Sequence, residues 1–363
     1  MLAGLAFVDF LRSSTGSEYQ SVVFPIDFSD GLGAILSFIL AFGIVLALTP
    51  PLMRKMRAGG MIGKDVNKVT KHSVPELGGI AALFAFSVSI SLVVGLQKLL
   101  GNVAEPPFLA AISVFFMASM IGLIDDISNL KQRLKAIAVA FAALPLMLVH
   151  LGPDLIDLPF GLQLNFASNL YLVYWLILVP IGVTGVANAM NMSAGYNGLE
   201  SGQVVVVSSV LLTISVLRGD PDFSPMLFAS LLGCSLGLYF FNRYPAHVFI
   251  GDIGTLGLGA ALAAGVILGH LEFYGLIAIA PAFYEGAATI YYGFRNKNGE
   301  RKSACKNPII ERNGVLRPPA GASRYTLAYW ILSKRPMSEK ALVRMLLLLY
   351  GVSGVIAITL SVT

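Results

Sequence analysis

Along most of its length this chain alternates apolar runs of about twenty residues with short polar breaks, and a helix needs a run of about that length to cross roughly 30 Å of hydrocarbon. Ten such runs can be placed, at 32–48, 78–96, 108–124, 134–151, 170–187, 203–217, 226–241, 254–269, 274–292 and 341–362. The run at 203–217 is short, and the one at 254–269 is rich in glycine. No water is present in hydrocarbon to satisfy a free N–H or C=O, so each run must close its own hydrogen bonds as a helix. Soluble domains carry about a quarter charged residues; this chain carries 12% charged and 56% hydrophobic residues. The expected fold is all-α: a polytopic membrane protein of about ten transmembrane helices, forming a single membrane domain over residues 1–363. Its one substantial extramembrane piece spans 295–340, where Pro308, Gly314, Pro318, Pro319 and Gly321 favour turns. Met1–Phe10 is apolar but short and lacks a basic start. The first spanning helix is therefore expected to serve as the insertion signal.

The positions of Lys and Arg orient the bundle, because loops on the cytoplasmic side hold an excess of positive charge. With ten helices, all but Arg12, Lys98 and Arg218 of the 25 Lys and Arg residues fall on one side. A miscounted helix would scatter them. Both termini are thus expected outside, with the basic loops in the cytoplasm. The net charge of +5 belongs to that face and suits anionic lipid headgroups or phosphates; nothing calls for nucleic acid. Cys234 and Cys305, the only two cysteines, give no disulfide framework.

Polar residues beside hydrocarbon are costly, which makes them informative. Asp125 and Asp126 end the third run at the basic face. Adjacent carboxylates repel, and a cation, a metal or hydrogen-bond donors must stabilise their ionised form. A helix end meeting water accounts for the pair as well. The stretch from Asn188 and Asn191 through Gly195, Asn197, Gly198 and Glu200 sets two amides one helical turn apart, then breaks into a glycine-rich turn. Amide oxygens suit a hard cation, and exposed N–H groups suit a phosphate or a base edge. Phe249-Ile-Gly251-Asp252 follows a turn at Asn242–Pro245, where Asp252 is expected to cap the eighth helix. Three carboxylates and two amides on one face make up the composition of a magnesium and diphosphate site. Glu76 before the second helix and Lys135 at the start of the fourth join that face; either is also explained as an interfacial charge. Glu285, inside the ninth run, is expected to be a hydrogen-bonded interior acid without a catalytic role. Gly59–Lys64 lacks the spacing and the hydroxyl residue of a P-loop. His72, His150, His247 and His270 are scattered, which argues against a zinc site.

In order along the chain, Pro75-Glu76, Asp125-Asp126-Ile-Ser-Asn129-Leu-Lys131, Asn188-Ala-Met-Asn191, Ala194-Gly195-Tyr-Asn197-Gly198-Leu-Glu200 and Phe249-Ile-Gly251-Asp252 resemble the polyprenyl-phosphate N-acetylhexosamine-1-phosphate transferases of glycosyltransferase family 4 type. Ala194 and Asn197, in place of aspartates, and the absence of a histidine-rich last loop make the chain similar to the branch of UDP-GlcNAc:dolichyl-phosphate GlcNAc-1-phosphate transferases found in eukaryotes and archaea. The compact last loop favours an archaeal cell membrane over an endoplasmic reticulum membrane. The resemblance implies transfer of a sugar 1-phosphate from UDP-GlcNAc to a polyprenyl or dolichyl phosphate, with release of UMP. Residue by residue, it implies that Asp125 and Asp126 orient or deprotonate the lipid phosphate, which Lys135 holds. Asn191 and Asp252 would bind Mg²⁺, or Mn²⁺ in its place. Glu76, Asn188, Gly195, Asn197 and Phe249 would bind the nucleotide sugar, and Phe249 would stack on uracil. Lys306 and Arg312 would grip the diphosphate, in a loop that matches the family only loosely. Two other readings stay open: a different UDP-HexNAc donor, and a lipid-phosphate transporter lined by the same residues. The oligomeric state is open as well, a homodimer included.

Overall fold

Where the apolar runs begin and end, short polar turns let the chain reverse, and the computed structural model gathers the resulting helices into one bundle. It describes residues 31–99, 106–149, 155–166, 170–220, 223–294, 307–320, 322 and 326–363. The segment 1–10, Cys305 and Lys306 lie outside the described residues. The helices are α1 (Leu32–Ala58), α2 (Gly79–Leu99), α3 (Pro106–Ser128), α4 (Gln132–Phe141), α5 (Leu144–Met147), α6 (Tyr171–Met192), α7 (Leu199–Arg218), α8 (Phe223–Asn242), α9 (Gly251–Leu268), α10 (Glu272–Ala278), α11 (Ala280–Phe294), α12 (Leu327–Lys334) and α13 (Glu339–Ser361). Two short hairpins, β1 (Ile62–Lys64) with β2 (Ser73–Pro75) and β3 (Leu155–Asp157) with β4 (Gln163–Asn165), sit at opposite ends of the bundle. A three-stranded sheet of β5 (Ile309–Ile310), β6 (Val315–Arg317) and β7 (Met337–Ser338) leads into α13.

Among the described residues, eight helices are long and apolar enough to cross a membrane, and the bent pair α10–α11 makes a ninth. This is a polytopic integral membrane protein. The run expected at 134–151 differs from expectation: it breaks into α4 and the single turn α5. Pro145, in the first turn of α5, has no N–H to continue the ladder of α4. The chain nevertheless passes from one end of the bundle to the other in this stretch. Lys135 in α4 meets Asp125 at the end of α3, whereas Asp157 in β3 meets Arg218 at the far end of α7. Pro281 bends α10–α11 by 71° in the same way. The carbonyl of Ile277, which it leaves without its helical donor, accepts from Ser353 Oγ of α13.

The glycine-rich run becomes the axis of the bundle. In α9, 89% of the apolar stretch is buried, against 28% in α1 and 33% in α13. Helices α2, α3, α6, α7 and α8 surround it. Helices in lipid gain by close backbone approach, which small residues permit. A Cβ on Gly122 of α3 would lie 2.3 Å from the carbonyl oxygen of Asp252, and one on Gly79 of α2 would lie 2.3 Å from Cα of Gly254. These two contacts draw the C-terminus of α3 and the N-terminus of α2 against the start of α9. Gly122→Ala should therefore cost about 1–3 kcal/mol of stability through overpacking, read as a lowered unfolding temperature in detergent. Gly95→Ala, where a Cβ meets nothing within 4 Å, should leave that temperature unchanged or raised.

Candidate active site

At the basic end of the bundle, the end of α3, the end of α6 and the starts of α4 and α9 each bring one polar side chain to a common point. The Lys135 ammonium, only 2% exposed, donates to Asp125 Oδ2 at 2.7 Å, to Asn191 Oδ1 at 3.2 Å and to Asp252 Oδ2. Asn191 Nδ2 donates to Asp252 Oδ1 and to Thr255 Oγ1, both at 2.7 Å. Thr255, three residues beyond Asp252, shares its helix face. The second oxygen of Asp125 accepts from the Leu130 N–H at 2.6 Å, which fixes the turn between α3 and α4. A buried ammonium is tolerated here because three oxygens surround it.

Asp252 does not cap α9, contrary to expectation: it is the second residue of that helix, and its carboxylate turns to Lys135 and Asn191. The cap comes from α3 instead. Asp126 Oδ1 and Oδ2 accept from the backbone N–H groups of Asp252 and Ile253 at 2.9 and 3.0 Å. These are two of the donors that a helix start leaves without internal partners. The adjacent aspartates thus divide the work, Asp125 holding the lysine and Asp126 aligning α9.

Next to this knot lies a cavity of about 270 Å³, bounded among others by Glu76, Gly195, Asn197, Phe249 and Asp252. The turn Gly195–Gly198 forms one wall and is held from several sides. Gly195, at φ +118, takes a backbone conformation that favours glycine. Its carbonyl accepts from Asn67 Nδ2 at 2.6 Å, and its N–H donates to Glu200 at 3.1 Å. Asn197 donates through its backbone N–H to Glu339 Oε1 at 2.7 Å and through its side chain to Asp65 Oδ2 at 2.8 Å. Lys68 bridges Asp65 and Glu339. Phe249 is fixed in the opposite wall by main-chain pairing: its N–H donates to the Pro75 carbonyl, and its carbonyl accepts from the Gly78 N–H, each at 2.8 Å. Partial burial holds the Glu76 carboxyl above the ordinary carboxylate range.

The remaining expected residues stand apart. Asn188 donates to the Thr184 carbonyl of its own helix at 2.9 Å and does not line the cavity. Arg312 is exposed in the turn between β5 and β6, away from the cavity wall. Glu285 is buried and accepts from the Leu327 N–H at 2.7 Å, joining α11 to α12. Sequence reasoning missed Asp65, Asn67, Lys68, Glu339 and Thr255. Thr255 carried a signal in its helical spacing from Asp252, and Glu339 lies in Pro336-Met-Ser-Glu339-Lys, a stretch similar to the eukaryotic and archaeal branch; Asp65, Asn67 and Lys68 act through a loop that carried none.

Among the described residues, no three His, Cys, Asp or Glu side chains form a metal cage by themselves. Asp252 and Asn191 are oxygen donors of the type that holds Mg²⁺, an ion commonly bound by one or two carboxylates with substrate phosphates and water; to reach it their oxygens would exchange the Lys135 and Asn191 N–H donors they accept from here.

Fold and site together define a membrane-embedded helical bundle with a charged cavity at one end. The family model for glycosyl transferase family 4 matches residues 108–270. The chain is 34% identical over 249 residues to a Sulfolobus acidocaldarius protein named "Putative UDP-N-acetylglucosamine--dolichyl-phosphate N-acetylglucosaminephosphotransferase", covering 66% of this chain and 72% of that one. It is 30% identical over 325 residues to a Methanocaldococcus jannaschii protein named as a glycosyltransferase, covering 89% and 95%. It is 28% identical over 336 residues to a phospho-N-acetylmuramoyl-pentapeptide-transferase of Hydrogenobaculum sp., covering 83% and 89%. The chain belongs to glycosyl transferase family 4.

The Lys68–Glu339 pair yields a prediction. Glu339 is 2% exposed, so Glu339→Ala leaves the Asn197 N–H without its acceptor and Lys68 with Asp65 as its remaining partner. It should cost about 1–3 kcal/mol, measured by thermal unfolding in detergent. The double change Lys68→Ala with Glu339→Ala should recover part of that loss, as expected for a coupled pair.

Proposed function

We propose that this protein transfers N-acetylglucosamine 1-phosphate from UDP-GlcNAc to a polyprenyl phosphate of the dolichyl type, releasing UMP, at the cytoplasmic face of an archaeal cell membrane. The observation that carries the proposal is the convergence of Asp125, Lys135, Asn191 and Asp252 from four helix ends beside a cavity walled by Gly195, Asn197 and Phe249. The name printed for the Sulfolobus acidocaldarius relative supports the donor and the acceptor. The pile-up of Lys and Arg at the site's end of the bundle supports the cytoplasmic orientation.

In the reaction, an oxygen of the lipid phosphate attacks the phosphorus that bears the sugar. The bond from that phosphorus to the bridging oxygen breaks, and UMP leaves with the oxygen. The nucleophile is already anionic, so catalysis rests on positioning and charge neutralisation more than on proton removal. The Lys135 ammonium attracts the lipid phosphate. Asp125 holds that ammonium in place through the 2.7 Å contact, and Asp126 keeps the start of α9 in register. The Gly195–Asn197 turn and Phe249 grip the uridine, with the aromatic ring available for stacking. Asn191 and Asp252 would hold Mg²⁺, which when bound would supply neutralisation of the diphosphate charge.

The test is UMP release by the purified protein from UDP-GlcNAc, polyprenyl phosphate and Mg²⁺, with the lipid product identified by mass spectrometry. Asp252→Ala and Lys135→Ala should each lower turnover by at least about 10²-fold, compared at equal folded fraction as set by each variant's unfolding temperature. Chelation should stop the reaction, and added Mg²⁺ or Mn²⁺ should restore it. Undiminished turnover in Asp252→Ala would remove the metal assignment. Absence of UMP with every UDP-sugar tried would favour a transporter, and release from another UDP-HexNAc alone would reassign the donor.

A further inference from the structure

Beyond the Asn197 turn, at the same end of the bundle, lies a larger cavity of about 970 Å³. Three helix ends build it: the last turns of α1 supply Arg54 and Arg57, the loop after α8 supplies Arg243, and the first turns of α13 supply Lys340 and Arg344. None of these five cations has an ion-pair partner among the described residues, whereas Lys68 and Lys135 at the same end are paired. Toward the bundle the wall turns apolar with Pro50, Met53 and Val343. At the rim, Phe240 is 52% exposed and stacks under the Arg243 guanidinium at 5.1 Å, the kind of aromatic side chain enriched at a membrane interface. Like charges ringing one hollow repel unless an anion joins them.

We propose that this cavity holds the phosphate headgroup of an anionic phospholipid from the adjoining leaflet, its chains lying along the Pro50, Met53 and Val343 wall. The forked guanidinium groups of arginine match phosphate oxygens in pairs, and juxtamembrane clusters of Lys and Arg attract anionic lipids. The cavity shares Asn197 with the smaller one, but its five cations take no part in the proposed transfer chemistry. The bound lipid would therefore brace the outer side of the turn whose inner side faces the nucleotide.

The test uses the full chain, stripped of lipid in detergent and exposed to mixed micelles of phosphatidylcholine with phosphatidylglycerol, with bound lipid counted by native mass spectrometry. The expected result is retention of phosphatidylglycerol at least tenfold over phosphatidylcholine. That preference should fall at least tenfold in Arg54→Ala with Arg344→Ala, and in the milder Arg57→Gln with Lys340→Gln, each folded by its unfolding temperature. Neither inorganic phosphate nor UDP at millimolar concentration should displace the lipid. Equal retention of both lipids, or unchanged preference in both variants, overturns the proposal. Displacement by phosphate would make this a free-anion site, and displacement by UDP would make it part of the nucleotide site; either outcome overturns the lipid assignment. Lipid retention requires no turnover, so the result stands whether or not UMP is released in the assay above.

Discussion

The Lys135 ammonium, wedged among Asp125, Asn191 and Asp252, is the interaction on which the arrangement of this end of the protein depends. Each member comes from a different helix end, and each would be costly beside hydrocarbon without the others. A buried charge that loses its partner costs far more than the pair contributes. The four helices α3, α4, α6 and α9 are thereby tied to one relative position, although lipid supplies no hydrophobic drive to hold helices together. The knot then serves two ends. It sets the packing of the bundle's basic end, and it gathers the oxygens and the cation that the proposed phosphoryl transfer uses.

That knot can form only because the backbones come close. Gly122 and Gly79 leave no side chain between α3, α2 and the first turn of α9, so Asp126 reaches across to the free N–H groups of Asp252 and Ile253. A helix start leaves these donors without internal partners. Because Asp126 supplies them, Asp252 has no capping duty and its carboxylate is available to Lys135 and Asn191. The turn Gly195–Gly198 follows the same logic at longer range, held by Asp65, Asn67 and Glu339 through Asn197 and Gly195. The β1–β2 loop lines the cavity with Asp65 and Asn67, and the start of α13 supports the turn through Glu339.

Much of the fold was legible because the bilayer imposes a one-dimensional rule: an apolar run of sufficient length becomes a helix. Two runs depart from it and each carried its own sign, Pro145 where 134–151 breaks into α4 and α5 and Pro281 where 274–292 bends between α10 and α11. Lys98 at the end of α2 and Arg218 at the end of α7 fall opposite the basic end, as the charge count required, and Arg218 pairs there with Asp157. In the site, Asp125, Lys135, Asn191, Asp252, Gly195, Asn197 and Phe249 were legible as expensive polar residues or as a glycine-rich turn. Asp65, Lys68 and Glu339 were not, since a charge in a loop or at a helix start is ordinary until its partner is known. Asn188 illustrates the converse: its spacing from Asn191 is a full turn, yet its amide is spent on the Thr184 carbonyl.

By itself the sequence determined that the chain is a multi-helix membrane protein with one strongly basic end, and that its unusual polar residues lie at that end. Both follow from local quantities, the length of apolar runs and the sidedness of charge, which need no knowledge of neighbours. Only the tertiary structure decided which of two adjacent aspartates caps α9 and which holds the lysine, which amide faces the cavity, and which distant carboxylate supports the glycine-rich turn. Those outcomes depend on distances of a few ångströms between helices far apart in the chain. The close packing of small residues sets these distances, and no periodicity along the sequence records it.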